Sequence, residues 1–449
     1  MSEGKGLIIA APASGSGKTV LTLGLLRHLA KSSGGENIAS AKAGPDYIDP
    51  AFHAAATGRP CVNLDLWAMR PETIARATWA LGATSEIVVC EGVMGLFDGA
   101  FVGPDKKGDV AGSTADLSFA TGWPVVLVID AGAQAASAAA VLKGFAEFRA
   151  DVTIAGVVFN RIGGPRHEEI LRIACEQAVP DIPVLGCLPR AQGLDLPSRH
   201  LGLVQATEHP DLEIFLQNAA ELIAEYVDVD ELLMLAEPLK IQRDTNDVAL
   251  PLAPLGQRIA VAADDAFTFS YPLVVGGWRG AGAEITTFSP LADEAPDNSA
   301  DAVYLPGGYP ELHGGTLANS AKFLAGLRTA AATGVTVYGE CGGYMVLGQG
   351  LVDADGQRHA MAGLLGLETS FAERKLHLGY RRVAALAAGP LAEQGAYFRG
   401  HEFHYATIVE ETGAKPLFGA EDAEGNDLGT VGLVDGRVAG SFIHLIDRE

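Results

Sequence analysis

Short runs of uninterrupted apolar residues recur through the first half of the chain, at Gly6–Pro12, Ile38–Gly44, Glu86–Gly92, Pro124–Ala131, Thr153–Ile162 and Pro183–Pro189. A strand covered on both faces needs such runs, whereas a strand with one wet face alternates. Between them the apolar positions spread to helical spacing, as in Lys18–Lys31, Arg70–Ala80 and Arg166–Ala178. Strand and helix in alternation predict a parallel, doubly wound sheet. A long helical stretch, Asp211 to Leu239, follows, and Asp244–Gln257, rich in Asn, Pro and Leu, reads as a linker. This divides the chain into 1–243 and 258–449. A second αβ series has strands at Arg258–Ala263, Ala283–Ser289, Ala302–Pro306 and Val335–Gly339. After Met361 the pattern turns β-rich, at His377–Ala385, Tyr397–Val409 and Gly429–Leu445. The expected fold class is α/β in both halves.

Composition narrows the function classes. A chain of 449 residues is long enough for two or three domains with full cores. The formal charge of −23 argues against nucleic acid, which a protein binds through a basic face. Every apolar run is broken by Gly, Pro, Asp or Lys before reaching the roughly 18–20 residues of a membrane span. The start, Met1-Ser2-Glu3-Gly4-Lys5, lacks the pattern of a signal peptide. Five scattered cysteines do not form a disulfide framework. The expected location is the cytoplasm.

Two segments carry chemistry. After the first apolar run comes Ser14-Gly15-Ser16-Gly17-Lys18-Thr19, a phosphate loop between a strand and a helix. Backbone N–H groups of such a turn and the helix N-terminus bind phosphate oxygens. Lys18 would reach the β and γ phosphates of ATP, and the Thr19 hydroxyl would ligate Mg²⁺. One departure is Pro12, where the loop pattern has its leading glycine. Carboxylates follow where metal ligands are needed: Glu91 at the end of a strand, and Asp46 and Asp49 just after the second strand. Asn160, ending the run Val157–Phe159, is a candidate to read the nucleotide base.

The second segment, Gly339-Glu340-Cys341-Gly342-Gly343, reads as a nucleophile elbow, a thiol on a tight strand-to-helix turn. The helix that follows should lower the thiol's pKa. Gly307 and Gly308, ending another strand, offer backbone N–H groups suited to an oxyanion hole. The base should be a distant histidine. His444, at the end of a late strand, is the first choice; His401, His404, His377 and His313 are rivals, with His404 the strongest of them. A thiol nucleophile and an ATP cradle on one chain suggest ammonia released from glutamine for ATP-driven chemistry.

Taken together, Ala11–Thr19, Lys42–Pro50, Glu91–Gly99, Leu196–Leu203, Leu305–Pro310, Gly339–Tyr344, Gly400–Tyr405 and Ser441–Leu445 resemble, in order, the cobyrinic or hydrogenobyrinic acid a,c-diamide synthase family. Close relatives of that family act on nickel-sirohydrochlorin. The resemblance implies an N-terminal P-loop domain like that of dethiobiotin synthetase and a C-terminal class I glutamine amidotransferase domain. It implies that ATP phosphorylates a substrate carboxylate, which ammonia from glutamine then converts to an amide. By the same resemblance, Cys341 is the glutaminase nucleophile and His444 its activator. Lys42, Asp46, Asp49 and Glu91 fall in segments used around ATP, Mg²⁺ and the substrate carboxylate, and Asp98 lies near the substrate. Amidotransferases of this class usually end in His-x-Glu, but position 446 is Ile446, so a Cys-His pair is expected, with Glu402 a candidate to orient a histidine. Arg190, Arg199, His200, Arg374, Lys375, Arg381 and Arg382 are candidates to hold the many carboxylates of the substrate. Expected partners are ATP, L-glutamine and a tetrapyrrole polycarboxylate, with a homodimer left open and neither nucleic acid nor a membrane. The sister activity, cobyric acid synthase, is disfavoured by the Gly44–Pro50 run. A P-loop switch ATPase with an inert second module is disfavoured by the intact elbow.

Overall fold

The computed structural model describes residues 4–32, 37–102, 112–191, 194, 198–199, 202–241 and 250–449. His200, most of the 196–203 motif and residues 244–249 of the expected linker lie outside them, and so does the side chain of Arg199. The described residues form two compact units, the first within residues 4–241 and the second from residue 250 onward, with Ala68–Arg70, Phe101 and Val102 belonging to the second.

The first unit is built on parallel strands β1 (Lys5–Ala10), β2 (Ile38–Ala43), β3 (Val62–Leu64), β4 (Ile87–Glu91), β5 (Val125–Asp130), β6 (Ile154–Ile162) and β7 (Val184–Pro189). Their order is β3-β2-β4-β1-β5-β6-β7, and Glu237–Pro238 pairs antiparallel with β1. The central strand explains the pattern seen in the sequence: Leu7, Ile8 and Ile9 are all fully buried. Helix α1 (Lys18–Ser32) leaves the C-terminal end of β1, and α2 (Asp49–Thr57) follows β2. The phosphate loop and the acidic segments therefore meet at the carboxyl edge of neighbouring strands, where open α/β sheets bind ligands.

The expected long helix from Asp211 to Leu239 is two helices, Leu212–Tyr226 and Val229–Met234. Val227 turns extended (φ −123°, ψ 132°), and the Asp228 side chain accepts from the Glu231 N–H to start the second helix. A β-branched residue followed by a capping Asp outweighs the continuing apolar period.

The second unit has a ten-stranded mixed sheet. Glu284–Phe288, Arg258–Ala262, Ala302–Leu305, Thr336–Glu340 and Val438–Ser441 are parallel neighbours. Asp427–Asp435, Lys415–Glu421, His377–Ala385, Tyr397–His404 and Ile443–Arg448 continue the sheet as an antiparallel ladder. The two late β-rich runs each break up. Tyr397–Val409 divides at the Tyr405-Ala406 corner, with Thr407–Thr412 joining a separate four-stranded sheet. Gly429–Leu445 spans three strands, turning at Gly436 in the left-handed region (φ 58°) and again at Phe442. No helix among the described residues is long and apolar enough to cross a membrane.

Candidate active site

At the edge of the first sheet the phosphate loop is fixed by its own chain. Gly15 (φ 79°) and Gly17 (φ 101°) take left-handed backbone that other residues resist. Asn160 Nδ2 donates to the Ser16 carbonyl at 2.9 Å, and a Cβ on Gly17 would stand 2.0 Å from that nitrogen. Asn160 thus touches the loop itself. Arg161 donates to the Gly15 carbonyl at 3.0 Å and pairs with Asp130. Lys18 lies in the loop with its ammonium 2.6 Å from the Met94 carbonyl, and burial pushes its pKa down.

Behind Lys18 is a buried charge cluster. Lys42 Nζ lies 2.6 Å from Asp49 Oδ2 and 3.1 Å from Glu91 Oε1. Glu91 Oε1 also accepts from the Thr19 hydroxyl at 2.7 Å. Burial opposes the Lys42 charge, but Asp49 and Glu91 outweigh it and hold the ammonium well above the ordinary lysine range. Burial would likewise raise Glu91, yet Lys42 and His53 hold it well below the usual carboxylate range. Asp49 carries the cost: burial and Asp46 push its carboxyl up against the pull of Lys42. Asp46 Oδ1 accepts the N–H groups of Ile48 and Asp49, so one of its oxygens shapes the turn into α2. Asp98, exposed, accepts from the Gly95 N–H at 2.9 Å and closes the turn after β4.

Sequence reasoning missed His53. It sits four residues after Asp49 on α2 and so on the same helix face. Its Nε2 is 2.7 Å from Glu91 Oε2, and its Nδ1 is 3.4 Å from Cys61 Sγ. A histidine at that spacing from an acidic residue, on a helix entering the sheet edge, is the signal that could have found it.

In the second unit Cys341 occupies a strained turn, φ 47° and ψ −106°, between the strand Thr336–Glu340 and the helix Gly342–Leu347. A non-glycine residue in this region marks stored strain, as in nucleophile elbows. Gly343 fits because a Cβ there would meet the Leu305 carbonyl oxygen at 2.0 Å. The thiol lies 3.8 Å from the Phe403 carbonyl oxygen. His444 reaches the same place from the strand Ile443–Arg448. A Cβ built on Gly307 would stand 2.3 Å from His444 Cε1 and 3.3 Å from Cys341 Cβ. Imidazole and thiol-bearing carbon therefore flank one glycine. Gly307 also accepts from the Phe269 N–H at 2.9 Å, and a Cβ on Gly308 would meet the Ala266 carbonyl oxygen at 2.0 Å.

The expectation that the helix lowers the thiol's pKa is not met. Burial pushes the Cys341 thiol up, with Glu311 adding to it, and a six-residue helix does not offset this. Burial, with His401 and His404, pushes His444 down to about 3. Burial thus disfavours the charged form of both groups. Glu340, beneath the elbow, accepts from Tyr304 Oη at 2.7 Å and the Leu445 N–H at 3.2 Å, and burial pushes it up to about 7. The histidine that Glu402 faces is His404: its Oε1 lies 3.1 Å from His404 Nε2, and its Oε2 pairs with Arg381. Arg382 pairs with Glu421 and Glu449, and Arg190 donates to the Gly132 carbonyl. Arg381 and Arg382 thus already serve carboxylates of the protein itself.

Residues 7–204 match the model of the CobQ/CobB/MinD/ParA nucleotide binding domain, and residues 258–449 that of the CobB/CobQ-like glutamine amidotransferase domain. A protein of Brucella anthropi named hydrogenobyrinate a,c-diamide synthase is 55% identical over 446 residues, covering 99% of this chain and 98% of its own. One of Rhizobium meliloti with the same name is 54% identical, covering 98% of this chain and 99% of its own. The chain belongs to the hydrogenobyrinate a,c-diamide synthase family. Membership accounts for both the nucleotide-binding unit and the amidotransferase unit, and it is α/β throughout. The enzyme class is that of glutamine-dependent, ATP-dependent carbon–nitrogen ligases, so ATP and glutamine are substrates.

Proposed function

We propose that this chain converts the a and c acetate carboxylates of hydrogenobyrinic acid to amides, in the cytoplasm, during cobalamin biosynthesis. The observation that carries the reading is full-length identity to relatives of that name, together with the convergence of Cys341 and His444 on Gly307. The relatives' names support the metal-free ring over the cobalt and nickel rings and over the cobyric acid synthase reaction.

The chemistry follows from the residues. A carboxylate is a poor electrophile until an oxygen becomes a leaving group. Its attack on the γ-phosphorus of ATP releases ADP and forms an acyl phosphate. Charge positioning does most of the work in such transfers. Lys18 and the loop N–H groups of Ser14–Thr19 are assigned to the phosphates, a reading supported by the bracing of the loop by Asn160. Lys42 and Asp49, with Asp98 at the exposed turn, are the residues assigned to the reacting carboxylate. The Thr19 hydroxyl and the Glu91 carboxylate, 2.7 Å apart, form a hard-oxygen pair that fits Mg²⁺, with the second oxygen of Asp46 available as a further ligand. Bound there, Mg²⁺ would neutralise phosphate charge.

In the second unit, Cys341 Sγ attacks the side-chain amide carbon of glutamine while His444 takes the thiol proton and passes it to the departing ammonia. Water then releases glutamate from the thioester. Gly307 and Gly308 are assigned to the oxyanion. Ammonia attacks the acyl phosphate, giving the amide and phosphate.

Mass spectrometry tests this. The protein is incubated with Mg-ATP and glutamine, and with hydrogenobyrinic or cobyrinic acid separately. The expected product is a diamide of hydrogenobyrinic acid, lost in Cys341→Ala with glutamine but retained with ammonium chloride. ATP hydrolysis without amidation of either acid would overturn the proposal.

A further inference from the structure

The strand that carries His444 is tied to the elbow by a side chain to which the amidation chemistry assigns no task. Ile443–Arg448 is an edge strand of the ten-stranded sheet. Along the ladder, five strands stand between it and Thr336–Glu340, which leads into Cys341. Strand pairing alone is a loose way to set the distance from thiol to imidazole, because twist accumulates over every intervening strand. An edge strand also turns N–H groups outward, where no neighbouring strand accepts them.

Glu340 closes that gap. Its Oε1 accepts the Leu445 N–H at 3.2 Å, and its Oε2 accepts from Tyr304 Oη at 2.7 Å. Glu340 directly precedes Cys341, and Leu445 directly follows His444. On the other side of the histidine, the Cys341 N–H donates to the Ser441 carbonyl at 2.8 Å, and Ser441 is the ladder partner of Glu340. The segment bearing the base is thus fastened at Ser441 and at Leu445 to two consecutive residues of the elbow. Only Phe442, Ile443 and His444 lie between the fastenings.

The carboxyl is itself held in place. Glu340 and Tyr304 are both buried. The Tyr304 ring stacks on Tyr338 (centroids 6.1 Å apart, planes 13° apart) and meets Trp278 edge to face (5.3 Å, 82°). The bond to Leu445 survives a change of protonation, since a carboxylic acid keeps an oxygen that accepts.

We propose that Glu340 is a positioning residue for the glutaminase reaction: its carboxyl staples the base strand to the nucleophile's elbow and so sets the reach of His444 to Cys341. The inference rests on the assignment of Cys341 and His444 as the glutaminase pair. Glu340 acts through the backbone of Leu445, not on the amide of glutamine.

The test follows glutamate release and tetrapyrrole amidation by the full chain, at varied glutamine and with ammonium chloride in its place. Glu340→Leu removes the acceptor. A shift of the base by about 1 Å should lower kcat for glutamine about 100-fold, with the KM for glutamine and the ammonia-dependent amidation kept. Glu340→Gln should recover most of that loss, because its amide oxygen accepts the Leu445 N–H and its NH₂ donates to Tyr304 Oη. Tyr304→Phe deletes one hydroxyl, keeps the ring packing and should lower kcat by a smaller factor. Four results would overturn the proposal: wild-type kcat in a folded Glu340→Leu, a glutamine variant as slow as the leucine variant, a raised KM in place of a lowered kcat, or equal loss with ammonium chloride. If Glu340→Leu does not fold, unchanged kcat in Tyr304→Phe overturns it instead. Failure of the pair assignment shows separately, as glutaminase activity that survives Cys341→Ala.

Discussion

Substituting Gly307 with alanine would place a methyl between the proposed nucleophile and its base. The new carbon would stand 2.3 Å from His444 Cε1 and 3.3 Å from Cys341 Cβ. Carbon atoms pack at about 3.5–4.0 Å, so the ring must retreat by roughly 1 Å or more. Gly307 is not in the left-handed region, so alanine brings no backbone strain and the effect is the wedge alone. A misplacement of about 1 Å in a reacting geometry costs about 100-fold in rate. Overpacking itself costs about 1–3 kcal/mol, which should lower the melting temperature without unfolding the chain. The assay follows glutamate release and tetrapyrrole amidation with glutamine, and amidation alone with ammonium chloride. Glutamine-dependent turnover should fall about 100-fold while ammonia-dependent amidation is kept. A folded variant with wild-type glutaminase activity would refute the placement of His444 as the partner of Cys341. Equal loss with both nitrogen sources would show that the wedge acts on the fold and not on the pair.

Three further outcomes follow from the buried charges. Lys42→Met leaves Asp49 and Glu91 buried without their cation and should cost about 3–5 kcal/mol of stability, read by urea unfolding; a loss under 1 kcal/mol would mean that water reaches the cluster. His53→Gln removes the support of Glu91 and should raise the KM for Mg-ATP by about 10–100-fold, while ammonia release from glutamine stays intact. For Glu340, ordinary value 4.5 and folded value about 7, the folded chain binds more protons than the unfolded chain in that window, so its stability falls as pH rises from 4.5 to 7. Glu340→Gln should lack that loss, so the difference in melting temperature between wild type and variant should shift in the variant's favour across this range; a pH-independent difference would count against a buried protonated carboxyl.

What was legible in the sequence is what local chain order determines. The phosphate loop and the elbow are each a strand, a tight turn and a helix in succession, so Lys18, Thr19 and Cys341 announce themselves. The strands of the first sheet were visible because both faces are covered. Features set by distant contacts were not. The thiol's burial depends on the packing of Phe403 and Gly307 around it, and that burial outweighs the helix N-terminus. The pairing of Glu402 with Arg381 depends on strand register across the ladder, which no local pattern declares. His53 acts through Glu91, 38 positions away in sequence. The overlong helix and the two unbroken β-runs failed where one or two residues, Val227-Asp228, Tyr405-Ala406 and Gly436, turn the chain.

The turn that aims Cys341 also shelters it. Oxidants and alkylating agents attack the thiolate, and selectively the accessible thiols of low pKa. All five cysteines are buried, and Cys341 is only 3% exposed, with burial pushing its thiol pKa up. An enzyme that kept a permanent thiolate at its surface would be fast but perishable. This one should keep its nucleophile dormant between turnovers, and its working life in the presence of oxidants should outlast that of enzymes whose cysteine stands ready.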